Sequence, residues 1–497
     1  MLPVKLASSI PQYAYRAETI RQQEAIVARE QGVSMWSLMQ TAGVSGFHLL
    51  QQLWPKANTI LVVCGSGNNA GDGFVLATAA LKQGLRVYLH SLQAIENYHD
   101  DAALACQQFL KAGGSICKIN DVDFQRVDVV VDALLGTGIK GQVRQNYRDL
   151  MGLINKLAQP VLSLDLPSGL NGETGQPQGD CVQADATVTF IAVKQGLLTG
   201  RGIEFCGDIY LADLGLAKAF NAMVAADAQL LAPPYVPELE SRAWSAHKGN
   251  SGTVLVAGGN QGFSGAVRLA AEAALRSGAG LVAVDCHSTM QNVVSSQRPE
   301  FVMADATASD CHNQRLLNKV DSICLGPGLG LDQFAKARLP LMAMDKVLVV
   351  DADALTLLAH QPMTRKNWVL TPHPKEAATL LGCSVAKVQQ DRFAAVKAIA
   401  NKYQAICVLK GAGTLISDGQ QVFINMSGNP GMAVAGMGDV LAGIIAALGL
   451  QSQSLFKAVL TAVYIHGRAA DIAALDGRKG MLPSDLFVYI RQLVNQH

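Results

Sequence analysis

The sequence predicts an α/β fold built as two successive three-layer αβα domains. Three observations predict it: short apolar runs of strand length alternate with Ala- and Leu-rich helical segments, each half opens with a strand and a glycine-rich turn, and a proline-broken stretch separates the halves. The chain has 497 residues, 49% of them hydrophobic, which is too long for one core and leaves ample material for two.

In the first half the runs "TILVVC", "RVYLHSL", "VDVVVDALL", "PVLSLDL" and "ATVTFI" read as strands of a parallel sheet, each followed by a segment of helical composition. After "GDIYLADLGL" the pattern lapses into "LLAPPYVPELESRAWSAHKGNSG", whose prolines stop any regular element. A second series begins with "GTVLVAGG" and runs through "AGLVAVDC", "VDSICLGPGLG", "VLVVDADAL", "WVLTPH", "AICVLKGAGTLI" and "QQVFINM". The expected organisation is a domain over 1–217, a linker over 218–244 and a second domain over 245–497.

Composition narrows the partners. Charged residues make up 16% of the chain and the net charge is +1, so there is no field to draw nucleic acid or an anionic membrane. Small molecules are the expected partners, and self-association into a homo-oligomer is expected of such domains. The 10 cysteines are scattered without a C-x-x-C pair, which suits neither a zinc site nor a disulfide framework and points to a reducing cytoplasm. The start "MLPVKLASSIPQYAYRAETIRQQE" contains no apolar signal core, and the longest apolar stretch, "VLAGIIAALGL", is glycine-broken and too short to span a bilayer.

The turn "GSGNNAGDG" after the first strong strand is Rossmann-like. Gly65, Gly67 and Ala70 satisfy the looser fingerprint G-x-G-x-x-A, which aims backbone N–H groups at a phosphate from a helix N-terminus. The acidic residue that should follow at the end of the next strand is missing, because "RVYLHSLQ" offers His90 and Ser91 there. An ordinary dinucleotide-dependent dehydrogenase is therefore not expected. Asn68, Asn69 and Asp72 are more than a turn of glycines needs, although capping of the following helix would also use them. Asp132 ends another buried strand ahead of the loop Gly136 to Gly141, and Asp165 and Ser168 follow a third. In a parallel sheet these strand ends share one edge, the one where ligands bind. Asn69 and Ser168 supply neutral oxygens and Asp132 a charged one, a donor set for a hard cation.

In the second half "GNPGMAVAGMGDVLAGIIAAL" places Gly436, Gly438 and Asp439 just ahead of an apolar helix, so free N–H groups face an anion while Asp439 reaches a hydroxyl. That layout suits phosphoryl transfer to an alcohol, though a simple helix cap would share it. "VLKGAGTLI" adds a glycine turn beside Lys410, and "GPGLG" and "TPHPKEAATLLG", with His373 and Glu376, also follow strands. No G-x-x-x-x-G-K-[ST] is present, which excludes a P-loop.

At these residues the resemblance becomes specific. "GNNAGDG", "DALLGTG" and "LDLPSGLNGETG" resemble the NAD(P)H-hydrate epimerase domain over most of residues 10 to 217. The resemblance implies a potassium ion held by Asn69, Asp132 and Ser168. It implies substrate against Asn68, Asn69, Ala70, Gly71 and Asp72, against the loop Gly136, Thr137, Gly138, Ile139, Lys140, Gly141 and Gln142, and against Asp165. "HKGNSGTVLVAGG", "GFSGAVRLAAEAALRSGAGLV", "GPGLG", "TPHPKE", "KGAGT" and "GMGDVLAGII" resemble the ribokinase-like fold and, more narrowly, the ADP- or ATP-dependent NAD(P)H-hydrate dehydratases, over about residues 245 to 495. That implies contacts to the hydrate from Ala266, Gly328, His373 and Asp439, and to ADP or ATP from Lys410, Gly411, Ala412, Gly413, Thr414 and Gly438. A magnesium ion would bridge the nucleotide phosphates, with Glu376 a ligand through water. Met437 departs from the small residue or threonine usual at its place.

The implied substrates are the hydrates of NADH and NADPH, NADHX and NADPHX. Their added hydroxyl sits on a carbon next to the ring nitrogen. Once protonated it leaves as water to give an iminium, and water returns on the other face; Asp165 is the expected acid/base, unless it only caps its turn. In the second domain phosphorylation turns hydroxide into a good leaving group, and Asp439 is the expected base. The competing reading is a small-molecule kinase fused to a non-catalytic ligand-binding domain.

Overall fold

The computed structural model describes residues 3–6, 11–138, 141–296, 298–308 and 311–496. They divide into two units, Met1–Leu230 and Leu231–His497. The division falls inside the stretch expected as a linker, and that stretch is partly regular: "AKAFNAM" forms the helix Ala217–Met223, and "AQLL" forms a strand. The prolines that follow, including the cis pair Pro233–Pro234, end the regular structure there.

The first unit contributes the strands β1 (Val4–Lys5), β2 (Tyr13–Ala14), β3 (Thr59–Cys64), β4 (Arg86–Ser91), β5 (Val129–Ala133), β6 (Val161–Leu164), β7 (Ala186–Phe190) and β8 (Asp208–Ala212), with β9 (Ala228–Leu231) at its end. Its 7-stranded sheet has the order β1-β8-β7-β6-β5-β3-β4, parallel throughout except for the edge strand β1. Every residue of β3 and β5 is buried, as a central parallel strand covered on both faces requires. Alternation sorts the side chains: Ile60, Val62 and Cys64 enter one core with Phe74, Leu49 and Leu50, while Leu61 and Val63 enter the other with Met151 and Ile154. Each such side chain, fully buried, contributes about 1.5–3 kcal/mol.

The chain winds outward from β3 in both directions, to β4 on one side and to β5 and β6 on the other. This leaves a crevice beyond the carboxyl ends of β3 and β5. The two turns that border it are pressed together, since a Cβ on Gly65 would lie 1.8 Å from the carbonyl oxygen of Leu134. Only glycine fits there.

The second unit contributes β10 (Thr253–Ala257), β11 (Leu281–Asp285), β12 (Phe301–Ala304), β13 (Ser322–Leu325), β14 (Val347–Val350), β15 (Trp368–Leu370), β16 (Ile406–Leu409), β17 (Leu415–Ser417) and β18 (Val422–Asn425). They run β12-β11-β10-β13-β14-β15-β16-β17-β18, parallel as far as β16 and antiparallel from there. The run "AICVLKGAGTLI" is thus a hairpin rather than one strand, with the glycine turn at its tip. Winding outward from β10 creates a second switch point between β10 and β13, and its turns meet as in the first unit: a Cβ on Gly258 would lie 2.0 Å from the Pro327 carbonyl oxygen. The core is packed by the helices Ser264–Arg276, Met437–Leu448, Leu455–Ala473 and Leu486–Leu493. Among the described residues one helical window, Leu455–Asp476, is long and apolar enough to cross a membrane by length and composition, and 72% of it is buried inside the protein.

A charged pair is buried in this unit. Arg338 donates from Nε and Nη2 to the Asp285 oxygens at 2.9 and 2.6 Å, and its guanidinium stacks 3.5 Å over the Phe334 ring. Asp285 is 0% and Arg338 5% exposed. Removing one partner strands a buried charge, so Asp285→Ala is expected to lower unfolding stability by about 3–5 kcal/mol. Denaturant unfolding measures this, and a loss under about 1 kcal/mol contradicts it.

Candidate functional sites

The first site is a cavity of about 350 Å³ at the switch point of the first unit. The turn after β3 enters the helix Asn68–Lys82, and Asn68, Asn69 and Asp72 from its first turns line the cavity. Gly136, Thr137 and Gly138 line it from the loop after β5, Asp165 from the end of β6, and Lys194 from the segment after β7. Four other expected substrate contacts are not part of its lining: Ala70 and Gly71 are buried beside it, a Cβ on Gly71 falling 2.6 Å from the sulfur of the lining residue Met39, and Gly141 and Gln142 lie outside it. Ile139 and Lys140 fall outside the described residues.

Asp132 and Ser168 sit behind the cavity wall, both 0% exposed. The Asp132 carboxylate accepts from Ser168 Oγ at 2.6 Å, Ser168 N at 2.8 Å, Ser163 Oγ at 2.9 Å and Leu134 N at 3.3 Å. Burial pushes its pKa up, and these donors oppose the rise. Among the described residues no cationic side chain pairs with it. Asn69 adjoins the same turn, its Cβ 3.4 Å from where a Cβ on Gly136 would be, and both polar atoms of its buried amide lack a partner. An orphaned amide beside a buried carboxylate without a countercharge fits a monovalent cation.

Asp165 has φ of 66°, a left-handed conformation that an Asp tolerates at some cost. Its carboxylate pairs with the ammonium of Lys194, which is 2% exposed and also donates to the Phe190 carbonyl at 2.9 Å. Three further carboxyls line this cavity, those of Asp72, Glu24 and Asp101. Burial lifts Asp72 well above the usual carboxylate range, with Asp165 and Glu24 adding to it, and burial pushes Glu24 up to about 7 against the pull of Lys194.

The second site surrounds the N-terminus of the helix Met437–Leu448. Gly436 caps it with φ of 96°, and Asp439 stands in the first turn. Lys410, where the β16–β17 turn begins, places its ammonium 2.7 Å from Asp351 Oδ1 and 3.8 Å from Glu376 Oε2. A Cβ on Gly438 would lie 3.2 Å from that ammonium and 3.7 Å from Asp351 Oδ2, so glycine there leaves the helix end open to both charges. Burial pulls the Lys410 ammonium down, yet Asp351 and Glu376 together hold its pKa above the usual value. Burial, then Asp351, pushes Asp439 up to about 7, with Lys410 opposing.

His373 caps the helix Pro374–Leu381: its Nδ1 accepts from the N–H groups of Lys375 and Glu376 at 3.1 and 3.2 Å, while Glu376 Oε2 accepts from His373 N at 2.7 Å. The histidine thus closes a capping box, with its Nε2 3.3 Å from Glu376 Oε1. Ala266 and Gly328 are brought together, since a Cβ on Gly328 would lie 3.2 Å from that of Ala266. The same "GPGLG" turn is tied to the site through Asp353, which accepts from Gly330 N at 2.8 Å. Thr414 Oγ1 donates to the Gly411 carbonyl at 2.9 Å, closing the Lys410–Thr414 loop.

Sequence reasoning passed over Lys194, Glu24, Asp351 and Arg392. Lys194 had a signal, a lone cation in "TVTFIAVKQGLL", and so did Asp351, which ends a strand as Asp132 does. Arg392, 1% exposed, donates to the Leu409 and Lys410 carbonyls at 3.3 Å each, bracing the glycine turn from below.

Both halves of the sequence match known families. Residues 36–196 match the family described as YjeF-related protein N-terminus, and residues 254–492 match NAD(P)H-hydrate dehydratase. The chain is 44% identical to the bifunctional NAD(P)H-hydrate repair enzyme of Coxiella burnetii, covering 97% of this chain and 99% of the relative. It is 40% identical to that of Escherichia coli, over 98% and 95%. Among solved structures, an ADP/ATP-dependent NAD(P)H-hydrate dehydratase from Bacillus subtilis co-crystallised with ATP/Mg2+ is 26% identical with a TM-score of 0.47, over 52% of this chain and 94% of that one.

A carboxyl whose folded pKa is raised binds its proton more tightly folded than unfolded, so its contribution to stability is greatest below the unfolded pKa and is lost as pH rises through the folded value. For Asp439 that window runs from about 4 to about 7. Asp439→Asn is therefore expected to melt higher than the unaltered chain at pH 8, with the gap closing by pH 4. Thermal unfolding at both pH values checks this, and an equal gap at both contradicts it.

Proposed function

Because this chain belongs to the family of bifunctional NAD(P)H-hydrate repair enzymes, we propose that its two units perform the two steps of one repair. The first unit epimerises the R and S hydrates of NADH and NADPH. The second dehydrates the S form at the expense of ADP or ATP, returning NAD(P)H with phosphate and AMP or ADP. The observation that carries the reading is the placement of Asp439: a carboxyl pushed up to about 7, in the first turn of a helix whose open N-terminus stands beside Lys410.

In the first unit the hydrate lies in the cavity of about 350 Å³, against Asn68, Asn69, Asp72 and the turn from Gly136 to Gly138. Asp165, fixed by Lys194, faces the carbon that carries the hydroxyl. Asn69, Asp132 and Ser168 would hold a potassium ion, which would supply the positive charge that the buried Asp132 lacks.

In the second unit Ala266, Gly328 and His373 hold the hydrate, and the loop from Lys410 to Thr414 with Gly438 holds the nucleotide. Asp439 takes the hydroxyl proton as the oxygen attacks phosphorus; a base with a pKa near the working pH suits that step. Lys410 and the N–H groups of the open helix end stabilise the charge on the transferring group. Once phosphate leaves, loss of a ring proton restores the dihydropyridine. A magnesium ion would neutralise the nucleotide phosphates, and Glu376, already engaged in its capping box, would reach it through water.

The test is to incubate the protein with mixed R and S hydrate, with and without nucleotide, and to follow each epimer by chromatography. Without nucleotide the epimers interconvert in potassium buffer and fail to do so when choline replaces potassium. With nucleotide both are consumed and phosphate appears. Asp439→Asn is expected to slow dehydration by roughly two to four orders of magnitude while epimerisation continues. A stable phosphorylated product would instead favour the small-molecule kinase, and dehydration within a few-fold of the unaltered chain would return the "GMGD" turn to a helix cap.

A further inference from the structure

The helix Ala17–Glu30 buries Ala17, Ile20, Val27 and Ala28, the spacing of one apolar face. Glu24 falls on that same face, four residues after Ile20 and three before Val27. Packing alone would favour an aliphatic residue there, because a carboxylate at a desolvated position costs free energy unless it is paired. Glu24 is not paired: among the described residues its carboxyl makes no hydrogen bond and no ion pair within 4 Å. It lines the cavity that also contains Asp165, Asp72 and Lys194.

Removal and return of water at one carbon needs two proton movements, one onto the departing hydroxyl and one off the arriving water. Asp165, held against the Lys194 ammonium, is placed as an acceptor. We propose that Glu24 is the general acid of this cavity, giving its proton to the departing hydroxyl while Asp165 takes one from the returning water. The inference rests on the reading of the cavity as the epimerisation site.

The step balances. The Glu24 carboxyl protonates the hydroxyl oxygen, the carbon–oxygen bond breaks, and the ring-nitrogen lone pair forms the iminium double bond. Water leaves. A water on the other face then forms a new carbon–oxygen bond, the iminium electrons return to nitrogen, and the excess proton passes to the Asp165 carboxylate. Glu24 ends ionised and Asp165 protonated, the state in which the reverse reaction begins.

The surroundings of Glu24 favour its acid form toward neutral pH. Burial raises Glu24 to about 7, Lys194 opposes, Asp165 adds to the rise, and Arg21 one turn earlier on the same helix opposes it. Asp72, whose own carboxyl is raised by burial, Asp165 and Glu24, faces it from the helix Asn68–Lys82, and Asp101 lines the same cavity. Carboxyls crowded about one ammonium cannot all ionise, so an acid and a base coexist in one cavity.

The experiment measures epimerisation of NADHX from pH 5.5 to 9 in the full chain, without nucleotide, for the unaltered protein and for Glu24→Gln, Glu24→Asp and Asp165→Asn. The unaltered rate is expected to fall as pH rises through about 7, where Glu24 gives up its proton. Glu24→Gln is expected to lose about 100-fold or more in kcat, with that limb abolished, KM within a few-fold and dehydration of S hydrate unchanged. Glu24→Asp, which keeps an acid one methylene shorter, retains the limb at a reduced rate and answers the case in which Glu24→Gln does not fold. Glu24→Gln turnover within two-fold of the unaltered protein, with the same pH profile, while Asp165→Asn is inactive, would overturn the role of Glu24 alone. Full activity in Asp165→Asn as well would overturn the reading of the cavity itself.

Discussion

Both sites depend on the close approach of two turns at the edge of a sheet. A sheet that winds outward from one strand leaves a crevice where its connections diverge, and the crevice holds a shape only if the turns on either side support each other. In the first unit the support is Gly65 against the Leu134 carbonyl; in the second it is Gly258 against the Pro327 carbonyl. Each contact is too close for any Cβ. Everything that follows, Asn69 against Gly136 in one site and Ala266 against Gly328 in the other, takes its position from those two contacts.

Within each crevice one lysine organises several carboxyls. Lys194 faces Asp165, with Glu24 and Asp72 in its field, and Lys410 faces Asp351 and Glu376, with Asp439 in its field. A single ammonium neutralises one carboxylate well and leaves the rest under burial and mutual repulsion. The consequence is a mixture of ionised and protonated carboxyls near neutral pH, which suits two reactions that each move protons at a hydroxyl. The chemistries part company in the backbone. The second site opens a helix end beside its lysine, a place suited to a transferring phosphoryl group, whereas the first is a cavity of about 350 Å³ walled by its carboxyls and its lysine.

Much of the fold was legible because parallel strands covered on both faces read as unbroken apolar runs, and "TILVVC", "VDVVVDALL" and "VLVVDADAL" all became central strands. The strands β1 and β2 were not, since two residues carry too little pattern, and β9 and β12 were passed over. The residues at the switch points were legible for the same reason as the strands, being polar groups directly after apolar runs. What escaped was supplied from distant elements. Glu24 comes from a helix that the local pattern marks only as amphipathic, and Arg392 comes from beneath a turn far along the chain. His373 was expected at a strand end; that its ring also caps the next helix follows from rotamer geometry that no spacing reveals.

The account stands on the claim that burial and neighbouring carboxyls, against the pull of one lysine in each site, raise Glu24 and Asp439 toward neutral pH. The most direct measurement is a carbon-13 carboxyl titration of the intact chain, with Glu24 and Asp439 assigned by substitution. The account predicts midpoints near 7 for both. Midpoints near 4, the range of solvated carboxyls, would contradict it.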